Sequence, residues 1–378
     1  MIYFDNAATT FPKPQSVTNA VATAMRSFGA NPGRSGHSMS LRAAEEVYRC
    51  RETAAEFFHA KGPECVAFTQ NCTHATNIVL KGLLKPGDHV VVSCLEHNAV
   101  MRPIQVLKGL GVTCNEAKVV PGDNDATLDG FRNAINERTA LICCMHASNV
   151  WGVRLPIERI GALCKTYQIP LMVDAAQTAG VLPIDMQDIG IDYLCLAGHK
   201  GLYGPMGTGM LITDKGEGLQ TLIEGGTGTQ SQDFSQPATM PERMESGTVN
   251  LPGIAGLRAG LEFVKQKKPQ TIMKHEMRLI TGLYDRLSTM RNVELYMPRP
   301  DEKHFAPLLS FNIKGKESEE VAAILNRRGI ATRAGLHCAP TAHSFAGTLE
   351  RGAVRVCPSV FSTPSEIDML CMAVRKIV

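Results

Sequence analysis

Residues 170–200 read PLMVDAAQTAGVLPIDMQDIGIDYLCLAGHK and contain two short, mainly apolar runs, Pro170–Asp174 and Tyr193–Ala197. Apolar runs of this length are typical of strands in a sheet that is covered on both faces. Each run leads into a polar side chain, since Asp174 closes the first and Lys200 follows the second by three residues. The stretch therefore predicts two buried strands with polar groups at their ends.

The N-terminal two thirds of the chain continue this alternation of apolar runs and amphipathic segments. Ser16–Met25 and Leu41–Phe58 place their apolar residues on one helical face. Strands that alternate with helices indicate a mostly parallel α/β domain. The further predicted strands are Cys65–Thr69, His89–Ser93, Ala140–Met145 and Gly209–Thr213.

The pattern changes after about residue 250. A helical stretch covers Leu257–Met290 with a break near Pro269, and a strand at Pro307–Ile313 and a helix at Ser318–Arg328 follow. These elements predict a smaller α+β domain. The polar stretch Gly225–Pro241 is expected to be an exposed or intersubunit loop. We place the large domain at residues 15–256 and the small domain at residues 1–14 and 257–378.

Composition argues against several functional classes. The 378 residues are 44% hydrophobic and 20% charged, as in soluble globular proteins, and a formal net charge of +3 does not suggest nucleic acid or an acidic membrane as a partner. No apolar run approaches the roughly 20 residues that span a bilayer, and we find no signal peptide. The twelve cysteines are scattered without a Cys-x-x-Cys pair. We therefore expect free thiols in a reducing cytoplasm, and no metal site.

The two polar strand ends carry the first chemical signal. A lysine beyond a buried strand loses its proton more easily than one in water, so Lys200 is suited to forming a Schiff base. Asp174 lies at the carboxyl end of a strand, where ligands bind in open α/β sheets. Opposite a pyridine ring, Asp174 would keep the ring nitrogen protonated and make the ring an electron sink. Taken singly, each residue has an ordinary alternative: a solvated surface lysine, and an aspartate that caps the next helix.

A second signal lies where the strand at Val66–Thr69 leads into Gln70-Asn71-Cys72-Thr73 and an apolar helix. Free backbone N–H groups and a hydroxyl group at a helix start can hold a phosphate. The alternative is ordinary capping of the helix by Thr73.

Eight short motifs occur in order along the chain. They are Tyr3-Phe4-Asp5-Asn6-Ala7-Ala8-Thr9-Thr10, Asn31-Pro32, Glu96-His97, Ser148-Asn149-Val150-x-Gly152, Asp174-x-x-Gln177, His199-Lys200, Gly247-Thr248 and Arg333-x-Gly335-x-His337-Cys338-Ala339. In this order they closely resemble the cysteine desulfurases of the class V aminotransferase superfamily, over nearly the whole chain. The last motif resembles the branch that also contains selenocysteine lyases. The resemblance implies the type I fold of pyridoxal phosphate (PLP) enzymes, with a large α/β domain and a smaller C-terminal α+β domain.

The resemblance also implies PLP as the cofactor of a homodimer. Lys200 would carry PLP as a Schiff base and later remove the Cα proton of the substrate, while Asp174 would pair with the pyridinium nitrogen. Gln177 would hydrogen-bond the phenolic oxygen, and His97 would stack on the ring beside the reacting atoms. The residues implied at the phosphate are Cys72, Thr73, His199 and, from the neighbouring subunit, Gly247 and Thr248.

The implied reaction converts L-cysteine into L-alanine. The resemblance places three residues at the substrate: Asn149, Arg333 and Arg355. The Arg355 guanidinium would bind the substrate carboxylate through two parallel hydrogen bonds. The Cys338 thiolate would attack the substrate sulfur and keep it as a persulfide, from which a sulfur-acceptor protein would take it. Because a free cysteine has a pKa of about 8.5, this role requires help in ionisation, which we expect from His337 and from the cationic surroundings of Arg333.

Two positions depart from the family pattern and concern the phosphate. Ala197 stands where a serine is common, and Cys72 where a threonine is frequent. Three alternatives to a desulfurase remain: a selenocysteine lyase with the same cofactor, an aminotransferase that needs no reactive thiol, and a non-catalytic sulfur carrier or metal binder. The absence of spaced Cys/His pairs and the presence of Lys200 argue against the last.

Overall fold

The computed structural model describes residues 1–33 and 35–377. The strands are β1 (Ile2–Tyr3), β2 (Val66–Thr69), β3 (His89–Ser93), β4 (Thr113–Ala117), β5 (Thr139–Met145), β6 (Leu171–Asp174), β7 (Tyr193–Ala197), β8 (Gly209–Ile212), β9 (Val293–Leu295), β10 (Leu309–Ile313), β11 (Ile330–Ala331) and β12 (Val354–Val356). The helices are α1 (Gln15–Ser27), α2 (Ser38–Phe58), α3 (Cys72–Leu83), α4 (Asn98–Lys108), α5 (Asn124–Ala134), α6 (Ile157–Tyr167), α7 (Met186–Ile189), α8 (Leu251–Lys267), α9 (Pro269–Leu287), α10 (Ser318–Arg327), α11 (Pro340–Phe345) and α12 (Pro364–Arg375).

A central sheet contains β2 to β8 in the spatial order β2-β8-β7-β6-β5-β3-β4. Neighbours from β7 to β4 pair in parallel, whereas β8 runs antiparallel to both β7 and β2. The prediction of a mostly parallel sheet is confirmed. Each strand predicted for this sheet is present, with bounds that differ by at most one residue, and the strand predicted at Pro307–Ile313 is present as β10, which begins two residues later.

Alternate residues of the central strands pack into two different apolar clusters. In β3, Val91 belongs to one cluster and Val90 and Val92 belong to the other. Since successive side chains of a strand point to opposite faces, both faces of this sheet are covered, as the continuous apolar runs predict. Edge strand β4 was not predicted, because its sequence, TCNEA, is polar and mostly exposed.

The C-terminal part contains the antiparallel sheet β12-β10-β9 and a third apolar cluster. This cluster joins both ends of the chain, since Ile2 and Phe4 pack with residues of α9, β10 and α12. The predicted break near Pro269 is confirmed: α8 ends at Lys267, and Pro269 occupies the first turn of α9, where proline is tolerated. The bounds proposed for the two domains stay a prediction.

Helix α8 begins at Leu251, six residues before the predicted start at Leu257. The Asn250 side chain accepts a hydrogen bond from the Gly253 N–H and so caps the helix. Pro252 and Gly253 hid this start in the sequence, although proline is favourable in the first turn. The stretch Gly225–Pro241 is largely exposed, as predicted.

Candidate active site at the carboxyl edge of the sheet

The parallel strands β3, β5, β6 and β7 present their carboxyl ends at one edge of the sheet. Four of the predicted site residues lie at or just after these ends: His97, Asn149, Asp174 and Lys200. Glu96, which precedes His97, lies there as well. The charges of Asp174 and Lys200 both influence the pKa of His97, so the three side chains lie close together. The fold therefore brings together residues from segments more than 100 positions apart.

Burial lowers the pKa of Lys200, and the nearby Asp174 and Cys72 partly oppose this effect. A lysine with a lowered pKa spends more time as the neutral amine, which is the form that attacks a carbonyl group. Lys200 is therefore suited to the Schiff base that the sequence implies.

Asp174 is buried and has two hydrogen-bond donors on Oδ1. The Ala176 N–H donates over 2.9 Å, and the Cys72 thiol donates over 3.3 Å. Burial raises the pKa of Cys72 well above its ordinary value, with a further contribution from Asp174, so the thiol keeps its proton and acts as a donor. The sequence assigned Cys72 only to the phosphate, and this second contact was missed.

The N-terminal segment holds the backbone next to Lys200. The carbonyl oxygen of His199 accepts hydrogen bonds from the Thr10 N–H at 3.1 Å, from Thr9 Oγ1 at 3.1 Å and from Lys13 Nζ at 2.8 Å. Thr10 Oγ1 also donates to the Lys200 carbonyl over 3.0 Å. These contacts fix the strand end from which the lysine side chain extends.

His97 caps helix α4, because its Nδ1 accepts a hydrogen bond from the Ala99 N–H at 3.0 Å. Burial lowers the pKa of His97 to about 4, although Asp174 acts in the opposite direction. The ring is therefore neutral at neutral pH, and its hydrogen lies on Nε2, since Nδ1 is an acceptor. A neutral, oriented imidazole is suited to stacking on an aromatic ligand.

Glu96 is a fully buried carboxyl group beside the site. Its Oε1 accepts hydrogen bonds from Ser93 Oγ at 2.5 Å and from the Met145 N–H at 2.9 Å, while Oε2 has no partner among the described residues. Burial raises its pKa to about 8, and these hydrogen bonds only partly counteract that effect. Glu96 is thus protonated at neutral pH, and nothing in its sequence context predicted this.

Replacing Glu96 with glutamine should stabilise the protein at neutral pH. The wild-type carboxyl group has a pKa of 4.5 in the unfolded chain and about 8 in the folded chain, so its contribution to stability is fully present below pH 4.5 and is lost as pH rises through 8. Glutamine does not titrate and can accept the same two hydrogen bonds. At pH 7 the Glu96→Gln free energy of unfolding should exceed that of wild type by about 3 kcal/mol, with no gain near pH 4.

Urea unfolding from pH 4 to pH 8.5 measures this difference. Glu302→Gln is the matched control, because Glu302 is exposed and its substitution should not alter the pH dependence. Parallel stability curves for wild type and Glu96→Gln would contradict the prediction.

The residues predicted at the phosphate do not all meet in one chain. Cys72 and Thr73 are the first two residues of α3, where backbone N–H groups lack acceptors within the helix. His199 Nδ1 is buried without a partner among the described residues, and burial lowers the pKa of this ring to about 4. Gly247 and Thr248 are exposed and line a different surface cleft, together with Asn31 and Tyr48 among other residues.

Gln177 and Lys200 both line a small pocket. Its side-chain Nε2 donates a hydrogen bond to the carbonyl of Ala7 over 3.0 Å. An amide nitrogen carries two hydrogens, so one remains for a ligand. The N-terminal segment therefore positions Gln177 as well as the backbone of His199.

Arg355 is almost fully buried and pairs with Asp5. Its Nη2 lies 3.0 Å from Asp5 Oδ1, and its Nη1 donates to the Asn149 carbonyl over 2.8 Å. Its Nε has no partner among the described residues. The Arg333 carbonyl accepts a hydrogen bond from the Arg355 N–H at 2.8 Å, and Arg333 itself is only partly buried. Asp5 belongs to the first of the eight motifs, but the sequence did not predict that it pairs with Arg355.

The loop that carries Cys338 is held by its backbone. Cys338 is exposed, and its carbonyl accepts a hydrogen bond from the Asn98 N–H at 2.7 Å. The His337 carbonyl accepts a hydrogen bond from Asn149 Nδ2 at 2.9 Å. His337 and Cys338 both have positive φ angles, 50° and 56°, which L-residues rarely adopt. Cys338 lines a cleft of ≈ 350 Å³ with Thr73 and His97 among its other residues.

The expectation that His337 helps to ionise Cys338 is wrong. Burial lowers the pKa of His337 to about 2, and the charge of Arg355 adds to this effect. His337 is stacked on His343 and is buried, so at neutral pH it carries no positive charge that would stabilise a thiolate. Its position next to Cys338 in the sequence suggested a cation, whereas the fold buries the ring against His343, with the charges of Arg355 and Arg333 nearby.

Comparison with known proteins places this arrangement in a family. Residues 2–370 match the family model for class-V aminotransferases. The chain belongs to this family. Over its full length it is 34% identical to a probable cysteine desulfurase of Methanothermobacter thermautotrophicus, of which it covers 94%. It is 33% identical to a probable cysteine desulfurase of Mycolicibacterium paratuberculosis, of which it covers 55%.

A solved structure similar to this chain has the same fold. The apo structure of a cysteine desulfurase from Thermococcus onnurineus NA1 superposes with a TM-score of 0.92 at 30% identity, covering 100% of this chain and 94% of that one. The predicted resemblance and the predicted type I fold class are confirmed. Among the described residues, no helix combines the length and the apolar character that a membrane span requires.

Proposed function

We propose that this class-V aminotransferase family member is a PLP-dependent cysteine desulfurase, which converts L-cysteine into L-alanine and keeps the sulfur as a persulfide on Cys338. The observation that carries the proposal is the exposed Cys338 thiol in one cleft with His97 and Thr73. This cleft lies at the sheet edge that also carries Lys200 and Asp174. An aminotransferase needs the lysine and the aspartate but has no use for a thiol in this place.

The residues around Lys200 fit PLP. Among the described residues, three buried polar atoms near the lysine have no hydrogen-bond partner: His199 Nδ1, Arg355 Nε and Asn149 Oδ1. Buried polar atoms are rarely left unpaired, and a ligand with anionic and hydroxyl groups would provide partners. Lys200 would hold the PLP aldehyde, Asp174 its ring nitrogen, and the N-terminus of α3 its phosphate. When bound there, PLP supplies an electron sink for the carbon atoms that lose a proton or sulfur.

The side chains of this chain supply the remaining chemistry. Lys200 Nζ, with its lowered pKa, takes the Cα proton of the substrate and returns it to the product. The buried Arg355 guanidinium orients the substrate carboxylate. Cys338 Sγ forms the new S–S bond as the substrate C–S bond breaks, and the carbon that loses sulfur receives one proton.

Assembly and location belong to the same proposal. We expect a homodimer in which Gly247 and Thr248 reach the phosphate of the second subunit, since both are exposed and lie outside the described contacts of Lys200. We expect a sulfur-acceptor protein that removes the persulfide from the exposed Cys338. All twelve cysteines are free, which supports action in the reducing cytoplasm.

A selenocysteine lyase is the second candidate. The neutral state of His337 favours it, because this ring gives the Cys338 thiol no help in ionising. Selenium leaves carbon more easily than sulfur does, so a lyase acting on L-selenocysteine depends less on the thiolate.

Incubation of the PLP-loaded protein with L-cysteine and a thiol reductant tests the function. We expect equimolar alanine and sulfide, with a persulfide on Cys338 when the reductant is omitted. A keto acid product with conversion of the cofactor to its pyridoxamine form would instead establish an aminotransferase.

Replacing Arg355 with lysine should weaken substrate capture. Lysine keeps the charge but loses the two-pronged contact, so kcat/KM for cysteine should fall roughly 10- to 100-fold, mainly through KM. Steady-state kinetics measures the change. Arg351→Lys is the matched control, because Arg351 pairs with Glu294 away from the site. An unchanged KM in Arg355→Lys would contradict the substrate assignment.

A further inference from the structure

Cys72 makes a side-chain contact that the start of its helix does not require. It is the first residue of α3, which is already capped because the Asn71 side chain accepts a hydrogen bond from the His74 N–H at 2.9 Å. The Cys72 thiol donates instead to Oδ1 of Asp174, the last residue of β6, over 3.3 Å. One residue thus joins the start of α3 to the carboxyl end of β6.

This contact decides which oxygen of Asp174 is left for a ligand. Oδ1 accepts hydrogen bonds from the thiol and, at 2.9 Å, from the Ala176 N–H. No described residue donates to Oδ2, and Oδ2 is not one of the unpaired atoms that the protein buries completely. Two donors on Oδ1 therefore hold the carboxylate in place and leave Oδ2 open to a further donor.

Both ends of the contact are held firmly. Cys72 is 6% exposed and Asp174 is 7% exposed. Strand β8 supports the start of α3, since a Cβ atom added at Gly209 would lie 2.7 Å from the Asn71 backbone. Thr69 Oγ1 also donates to the Asn71 carbonyl over 3.0 Å. The thiol therefore has little freedom to leave the carboxylate.

Cys72 also packs in the apolar cluster that contains Ala67 and Ala75, where a thiol can act simply as a small apolar group. Packing alone does not account for a hydrogen bond to a carboxylate. The sequence departs from the family pattern at this position, where threonine is frequent, and a threonine hydroxyl group is likewise a donor. The feature that the two residue types share is a donor rather than an apolar surface.

We propose that Cys72 is a positioning residue, whose thiol holds Asp174 Oδ1 so that Oδ2 is free to pair with the ring nitrogen of PLP. Because Cys72 is also the first residue of α3, the thiol fixes Asp174 relative to the helix start that would hold the phosphate. The inference rests on the proposed function, since the ring nitrogen and the phosphate belong to the PLP assigned to this site.

Infrared spectroscopy of the PLP-free protein tests the hydrogen bond itself. The S–H stretching band that disappears in Cys72→Ala should move to higher frequency in Asp174→Ala, because the thiol then lacks its carboxylate acceptor. Cys50, a fully buried thiol of α2, provides the internal control. The band that disappears in Cys50→Val should not move in Asp174→Ala. A Cys72 band that stays in place in Asp174→Ala overturns the proposal.

Cofactor affinity tests the positioning role. Valine and threonine have the same shape, but only threonine carries a donor. The dissociation constant of PLP, followed by absorption, should rise about tenfold in Cys72→Val and less than about threefold in Cys72→Thr. The deaza analogue of PLP has a carbon atom in place of the ring nitrogen and so offers Oδ2 no partner. Cys72→Val should therefore bind this analogue as tightly as wild type does.

Equal losses of affinity for PLP and its deaza analogue would mean that Cys72 acts through packing or at the phosphate, and would overturn the proposal. Equal losses in Cys72→Val and Cys72→Thr would do the same. Neither the infrared nor the affinity measurement depends on turnover. If wild type binds PLP but makes no alanine from cysteine, the proposed function fails while these results still decide the role of Cys72.

Discussion

Lys200→Ala should abolish both the yellow colour of the purified protein and the formation of alanine from cysteine. On the proposed function, Nζ both holds the PLP aldehyde and removes the Cα proton, so kcat/KM should fall by at least about 1,000-fold without it. Absorption spectra and an alanine assay measure the two effects. The fold should survive, because the N-terminal segment binds the backbone of His199 and Lys200 rather than the lysine side chain.

Lys265→Ala is the matched control for this experiment. Lys265 is a surface lysine paired with Glu56, so its removal should change neither colour nor turnover. Circular dichroism of both variants should match that of wild type. A Lys200→Ala protein that stays yellow and turns over cysteine at the wild-type rate would remove the basis of the proposed function.

Cys338→Ala should separate the two candidate substrates. With L-cysteine, sulfide release should fall at least about 100-fold, because the substrate sulfur then has no nucleophile to attack. With L-selenocysteine, most of the turnover should remain, since selenium can leave without that attack. Mass spectrometry should detect one added sulfur atom on wild type after exposure to cysteine and none on the variant.

Cys114→Ala is the control for general thiol effects, because Cys114 lies partly exposed on edge strand β4, away from the described site. It should retain both activities and the persulfide. Full desulfurase turnover by Cys338→Ala would mean that this thiol does not accept the sulfur. Equal, large losses on both substrates would instead assign the thiol a role common to both reactions.

The sequence predicted those parts of the site that lie at strand ends. Asp174 and Lys200 could be placed at one edge because both follow short apolar runs, and parallel strands present their carboxyl ends together. The order of the eight motifs then predicted the family, which the comparisons confirm. Edge strand β4 was missed because its exposed residues carry no apolar signal.

The contacts between distant segments could not be predicted from local patterns. Asp5 and Arg355 form a pair across 350 positions, and the Cys72 thiol meets Asp174 across 102. Burial determines the protonation state of His337. The ring is neutral, although its position next to Cys338 in the sequence suggested a cation. Glu276 appears in the sequence as one more polar residue of an amphipathic helix, and only the fold places it in the small pocket with Lys200.

The pairing of Asp5 with Arg355 also sets the time at which the site can be completed during synthesis. Strand β12, which carries Arg355, is translated some 350 residues after Asp5. A nascent chain that has already formed the central sheet contains Asp5 but still lacks its partner Arg355, the residue proposed to hold the substrate. On the proposed function, fragments that end before β12 lack the arginine that would orient the substrate carboxylate, and we expect them to be inactive.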